Sequence, residues 1–260
     1  VGDTDQIAAG TGTFGSRSTI SAGTALLLAA DKVIAKGTRI AAHLLEASAQ
    51  DIVFENGQFV VAGTDKAVGL EQVARDSFTP AKLPKGLEPG LIETGTFDGG
   101  QMTYPNGCHI CEVEIEQETG RVELVRYTAV DDVGHMINPM LVEGQLHGGI
   151  AQGVGQALME RMVYDPSGQV LTGSFMDYRM PRAHDFCAFD LGENEVPTRS
   201  NPLGVKGAGE SGTVGALPAA MNAVNDALAG IGADYVQMPV TAAKVWEAME
   251  AARRKRAQVV

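Results

Sequence analysis

Apolar residues recur at helical spacing along the first part of the chain. In SAGTALLLAADKVIAKGTRIAAHLLEASA, positions Leu26, Ala30, Val33 and Ile34, then Ile40, Leu44 and Leu45, share one side of a 3.6-residue period, which predicts a long helix. A glycine-rich loop, AAGTGTFGSRST, precedes it. Ser16, Ser18 and Thr19 are candidate caps, and Gly37 is a point at which the middle of the helix loosens. DIVFENGQFVV then gives two short β-rich runs joined through Asn56-Gly57, a strong hairpin signal. LEQVARDSF has the length of a short helix, and TPAKLPKGLEPG, with three prolines and two glycines, is a surface connector.

The period is two in CHICEVEIEQETGRVELVRY, where His109, Cys111, Val113 and Ile115 lie on one face and Glu112, Glu114 and Glu116 on the other. Strands on either side of EQETGR form a second hairpin. From Asn138-Pro139 a helical stripe returns, with Leu146, Ile150, Val154 and Leu158 four residues apart. Five glycines interrupt it, each costing about 1 kcal/mol against alanine, so close backbone approach or unwound turns must require them. YDPSGQV is a turn and SFMDYRMPRAHDF an extended piece. VGALPAAMNAVNDAL, with Leu217, Met221, Val224 and Leu228 on one face, and TAAKVWEAMEAARRK close the chain as helices. Hairpins and long helices mix without a strict βαβ rhythm, which predicts an α+β fold in one large or two small domains.

With 260 residues and 44% hydrophobic composition, the chain can bury a core. Its longest apolar stretch, AGTALLLAA, is far shorter than the roughly 18 residues of a membrane span. The start, VGDTDQIAAGTG, has neither a signal-peptide pattern nor Met, and reads as a fragment, a processed chain or a separately encoded piece. Twenty basic against 32 acidic residues give a net charge of −12, which opposes nucleic acid as a partner. The basic RRKRAQVV fits a solvated helix end better than a phosphate site. Three cysteines are too few for a disulfide framework, which makes a cytoplasmic, reducing compartment the default, and CHIC lacks the second pair of a four-ligand metal site.

Three glycine-rich segments carry the candidate chemistry: GTGTFGSRST, EGQLHGGIAQGVGQ and NPLGVKGAGESGT. Together they suggest backbone amides converging on one large polyanionic or heteroaromatic ligand. The first fits G-x-G-x-x-G from Gly10 to Gly15, but no βα unit precedes it and no ribose-binding acid follows, which argues against a nicotinamide dehydrogenase. What remains is a helix start with hydroxyls and Arg17, suited to phosphate, or an ordinary glycine turn. In the second, Gln145, Gln152 and Gln156 can recognise the edge of a pterin-like or purine-like ring, and His147 reads as packed or capped rather than as a ligand. In the third, Glu210 stands among glycines ahead of a helix. It is either an acid stabilised by the helix dipole or, if buried, a general base.

Taken together, GDTDQIAAGTGTFGSRST, VEGQLHGGIAQGVGQAL, DYRMPRA and NPLGVKGAGESGTVGALPAAMNAVNDAL resemble the molybdenum hydroxylases, the superfamily of xanthine dehydrogenase, aldehyde oxidoreductase and carbon monoxide dehydrogenase. The resemblance is to the C-terminal part of the molybdopterin-binding large subunit and spans residues 1–260. It implies that Glu210 is the active-site base in the hydroxylation of an aldehyde or N-heteroaromatic carbon with water as oxygen source. It implies that Phe14, Gly15, Ser16, Arg17 and Ser18 lie along molybdopterin, in its cytosine dinucleotide form, with the serines and Arg17 near phosphate. Gln152 would contact the pterin or the oxo group, and Lys206 and Gly207 would line the approach to the metal. The pterin dithiolene would hold molybdenum, so no metal-ligating residue is expected in the chain.

The family's large subunit is about three times this length. The resemblance therefore implies an N-terminal partner segment, with 2Fe-2S clusters and FAD on an iron-sulfur and a flavin subunit, because three cysteines cannot ligate two clusters. The rival expectation is a noncatalytic assembly subunit with the same fold.

Overall fold

The computed structural model describes residues 3–5, 10, 12–98 and 102–258. Part of the first glycine loop, including Thr11, lies outside the described residues. The chain divides into two compact units, Ser18–Gly100 and the combination of Val1–Arg17 with Gln101–Val260.

In the Ser18–Gly100 unit a π-helical turn, Thr19–Gly23, leads into α1 (Thr24–Leu44). Ser18 holds the N-cap position without a side-chain capping bond, because its backbone is already helical. Next come β1 (Ile52–Glu55), β2 (Gln58–Val61), β3 (Ala67–Gly69) and α2 (Leu70–Asp76). The strands form an antiparallel sheet in the order β1-β2-β3. At the first hairpin Asn56 and Gly57 have φ of 49° and 75°, the left-handed pair that matches the twist of the flanking strands. Ile40, Ala41 and Ala42 of α1 pack with Ile52, Phe59 and Val73 as the core, whereas Leu26, assigned to the same apolar stripe, is 71% exposed.

Gly37 does not loosen α1. The helix runs through it, and a Cβ there would lie 2.5 Å from Cζ of the buried Phe59 ring. Gly37→Ala is therefore expected to lower stability by about 1–2 kcal/mol, overpacking outweighing the helix propensity of alanine. A thermal melt checks this; an unchanged or raised midpoint would show that the ring can shift.

The other unit contains β4 (Asn106–Ile115), β5 (Val122–Asp132), α3 (Pro139–Leu158), β6 (Phe189–Glu193), α4 (Ser211–Gly230) and α5 (Ala242–Ala257). β4 and β5 form the expected hairpin, with a bulge opposite Glu112/Val113 that leaves both Val125 and Arg126 on the outside. β6 was not anticipated. It joins β5 in parallel, which requires a crossover connection, and that connection carries α3. The segment read as extended, SFMDYRMPRAHDF, is instead a turn at Ser174–Tyr178 and a 3₁₀ turn at Ala183–Asp185, because Ser174 and Asp185 bond locally to the backbone. The basic C-terminal cluster is the end of α5, where Lys255 pairs with Asp234 and Arg253 with Glu250.

The core of this unit lies between the inner face of β4-β5 and helices α3 and α4, with Val245 and Met249 of α5 closing it. The stripe Leu146, Ile150, Val154 and Leu158 is buried. The glycines of α3 are there chiefly for close approach. A Cβ on Gly149 would lie 2.9 Å from the Thr213 nitrogen, and one on Gly153 would lie 2.8 Å from the Ala216 Cβ. Gly155 faces Pro181 at a comparable spacing, whereas Gly144 and Gly148 face open space. Helices α3 and α4 therefore touch backbone to backbone, bringing Gln152 beside the start of α4.

Candidate functional site

The segment leading to Glu210 is fixed at several points. Asn201 holds the turn before it: Nδ2 donates to the Val205 carbonyl at 2.9 Å and Oδ1 accepts from the Val205 N–H at 3.2 Å. The Lys206 N–H donates to the Val133 carbonyl at 2.8 Å, and the Gly207 N–H donates to the Thr103 carbonyl at 3.2 Å. The Lys206 ammonium donates to Asp132 Oδ2 at 2.5 Å, with both side chains nearly buried. Asp132 Oδ1 also accepts from the N–H groups of Gly134 and Val196. Burial alone would raise the Asp132 carboxyl, but the bonds from Lys206, Gly134 and Val196 outweigh it and hold the group below its ordinary range.

Glu210 occupies the N-cap position of α4 with helical backbone angles, φ −108° and ψ −11°, and its side chain makes no capping bond. The carboxylate turns instead toward Ser16, whose Oγ donates to Oε2 at 3.0 Å. Gly15 and Ser16 have φ of 59° and 52°, and this left-handed turn brings the Ser16 hydroxyl against the loop. Two glycines admit it: a Cβ on Gly207 would lie 2.8 Å from the Ser16 Cβ, and one on Gly209 would lie 3.3 Å from Oγ.

Glu210 is exposed in this chain, not buried as the reading of a desolvated base required, and it opens on a cleft of about 620 Å³ that Tyr104, Pro105, Gln152, Thr213 and Val214 also line. The Thr213 hydroxyl donates to the Gly149 carbonyl at 3.1 Å and approaches Gln152 Oε1 at 3.4 Å, tying the amide to the first turn of α4. Ser16, Gln152, Gly207 and Glu210 are thus brought together. Phe14 and Arg17 pair with each other, the guanidinium lying 3.8 Å from the ring centroid while Nη2 donates to the Gly12 carbonyl. Ser18 opens the other compact unit. Lys206, expected beside the approach to a metal, directs its ammonium to Asp132 and is not part of the cleft lining.

CHIC lies on β4, where residues three apart point to opposite faces, so Cys108 is exposed and Cys111 half-buried. Burial, reinforced by Cys187 and Glu112, pushes the Cys111 thiol up to about 12. No group of three or more His, Cys, Asp or Glu among the described residues could hold a metal. His147 stacks loosely near Phe189 and stands 3.7 Å from Glu143 on the surface of α3. Sequence reasoning missed a buried cluster beside the cleft: His109 Nδ1 is 2.8 Å from the Tyr127 hydroxyl and Nε2 is 3.1 Å from Asp131 Oδ2. Period two placed His109 inward, but only the register of β4 against β5 reveals its partners.

Residues 1–187 match a family model described as the molybdopterin cofactor-binding domain. The chain belongs to this molybdenum hydroxylase family. It is 39% identical over 250 residues to the carbon monoxide dehydrogenase large chain of Hydrogenophaga pseudoflava, covering 96% of this chain and 31% of that one. It is also 39% identical to the nicotine 6-hydroxylase large subunit of Paenarthrobacter nicotinovorans, covering 91% and 29%. The fold matches the solved structure of reconstituted CO dehydrogenase from Oligotropha carboxidovorans with a TM-score of 0.89 at 39% identity, over 97% of this chain and 31% of that one. The chain thus spans about a third of the length of the curated relatives it matches. Among the described residues no helix is long and apolar enough to cross a membrane.

Proposed function

We propose that this chain forms one wall of the molybdenum-cofactor pocket in a hydroxylase large subunit, with Glu210 as the general base. One observation carries the reading: the Glu210 carboxylate stands at a helix start without capping it and is oriented by Ser16 at the mouth of a cleft that Gln152 also lines. The residues present fit a pterin. Gln152 has an amide that can donate and accept, and Gln145 lies beside Gly209. Gly144 and Gly148 leave the backbone of α3 bare on its open side. The Phe14–Arg17 stack offers a cation close to a flat ring, suited to a phosphate or nucleotide extension.

When bound, the molybdenum centre supplies the two-electron oxidation and the activation of water. The task of this chain is then positional and protonic. Ser16 occupies Oε2 of Glu210, and Oε1 is the oxygen left to take up a proton from the reacting water. Gln152 and the glycine-bared backbone orient the pterin, and Tyr104 and Pro105 on the cleft wall limit water. The cofactor is the cytosine dinucleotide form, and electrons leave through 2Fe-2S and FAD partner subunits. The substrate is a small molecule, an aldehyde or N-heteroaromatic carbon. Relatives named for carbon monoxide and for nicotine stand at the same 39% identity, so overall similarity does not select among substrates.

Gln152→Ala and Arg17→Ala in the assembled complex are expected to reduce bound pterin and molybdenum at least about threefold, each losing roughly 1 kcal/mol of hydrogen bonding or more. Metal analysis and pterin fluorescence of the purified complex read this directly. A wild-type complex containing this chain but neither molybdenum nor pterin would favour a noncatalytic assembly role.

A further inference from the structure

The two acids that end β5 hold the two sides of Glu210. Asp132 pins the preceding loop through Lys206. Asp131 reaches the helix that follows through His109, and this second connection has no part in the chemistry above. The His109 and Asp131 side chains are each 4% exposed, and Tyr127 is fully buried. A carboxylate only accepts hydrogen bonds, so His109 Nε2 carries a proton and donates to Asp131. Nδ1 meets the Tyr127 hydroxyl, so both ring nitrogens have a partner. Burial first, then Cys111 and Asp131, pushes the Tyr127 phenol well above its ordinary range, so it stays protonated and remains a donor.

Two bonds on opposite sides lock the imidazole in one orientation, and its face is covered by Gly215. A Cβ added there would lie 2.6 Å from Cγ, Nδ1 and Cε1 alike, so the glycine Cα sits over the ring plane. Gly107 is equally necessary on the far side, since its Cβ would lie 2.5 Å from Asp131 Oδ1. Gly215 is five residues after Glu210 on the same helix, about 7.5 Å along its axis. A ring that fixes Gly215 fixes the head of α4.

We propose that the Tyr127–His109–Asp131 cluster is the seat of the first turns of α4, and that His109 is a positioning residue setting where the Glu210 carboxylate stands. The proposal rests on the reading of Glu210 as the base. It does not require His109 to touch cofactor or substrate.

A size swap in the complete enzyme tests it, with Gly215→Ala, His109→Ala and the double variant compared for turnover, KM, molybdenum content and amide hydrogen exchange at residues 210–215. Gly215→Ala is expected to lower kcat about 10- to 100-fold, the scale of a misplaced catalytic group, with KM within about threefold and metal content retained. Amide protection at residues 214 and 215, the first N–H groups that the helix itself bonds, should fall about tenfold or more, because the local turn opens more readily. In the His109→Ala background the same methyl group has room, and adding it should change kcat and exchange by less than about threefold. Tyr127→Phe, which keeps every ring in place and removes one hydrogen bond, should lower kcat about 3- to 10-fold and raise exchange at the same amides. An equal penalty for Gly215→Ala with and without the ring, or unchanged exchange in both His109→Ala and Tyr127→Phe, would overturn the seat. Retained turnover in Glu210→Gln alongside the expected exchange pattern would instead remove the base assignment and leave the seat standing.

Discussion

Glu210→Gln in the assembled enzyme is expected to lower turnover by more than about 10⁴-fold, beyond the usual range for loss of a general base, while molybdenum and pterin content stay near wild type. The substitution is nearly isosteric. The amide oxygen can still accept from Ser16, so the contact that orients the side chain at 3.0 Å survives, and what disappears is the ability to take a proton. Stability separates this from the alternative role of a helix-terminal acid. A lost N-cap costs about 0.5–2 kcal/mol, but Glu210 makes no capping bond, so the melting midpoint should hardly move. Steady-state kinetics, metal analysis and a thermal melt on one preparation decide the matter. Activity within about tenfold of wild type would remove Glu210 from the role of base.

What was legible in the sequence was what short-range pattern encodes. The Asn56-Gly57 hairpin follows from its turn pair, the α3 stripe from Leu146 to Leu158 and the inward face of β4 from periods of 3.6 and 2 residues, and each is found. The demand that the glycines of α3 serve close approach was also readable, because five of them in a helix need a reason; Gly149 and Gly153 meet α4. Gly37 was misjudged because local propensity cannot see Phe59, which comes from a strand formed later in the chain. β6 escaped because FDLGE is only five residues long and pairs in parallel with a strand far back in the chain, across an intervening helix, which no local pattern reports.

The same limit governs the site. The Glu210 segment announced itself by composition, but its partners are separated from it or from one another by long stretches of chain: Ser16 from Glu210 by 194 residues, Lys206 from Asp132 by 74, and His109 from Asp131 by 22. A lysine in a glycine loop reads locally as a cation facing a ligand. Its ammonium is taken by a buried carboxylate that a strand register places beside it.

That pair carries the second large effect. Asp132→Ala is expected to destabilise the protein by about 3 kcal/mol at pH 7, the low end for breaking a buried ion pair by removing one partner. The variant leaves the Lys206 ammonium nearly buried without its counter-charge and strips the Gly134 and Val196 N–H groups of their acceptor. The pH dependence has a definite sign. The folded-state carboxyl lies below its ordinary value of 3.8, so its contribution is fully present above about pH 4 and is lost as pH falls through the folded value. The stability gap between wild type and Asp132→Ala should therefore be constant from pH 7 down to about pH 5 and narrow in more acidic solution. Removing both charges, as Asp132→Ala with Lys206→Met, should cost less than Asp132→Ala alone, because no unpaired charge remains inside. Chemical denaturation of the three proteins across that pH range reads all of this. A loss below about 1 kcal/mol at pH 7, or a double variant less stable than the single one, would mean that Lys206 reaches water or another anion once Asp132 is gone, and that the loop before Glu210 is held by its backbone bonds alone.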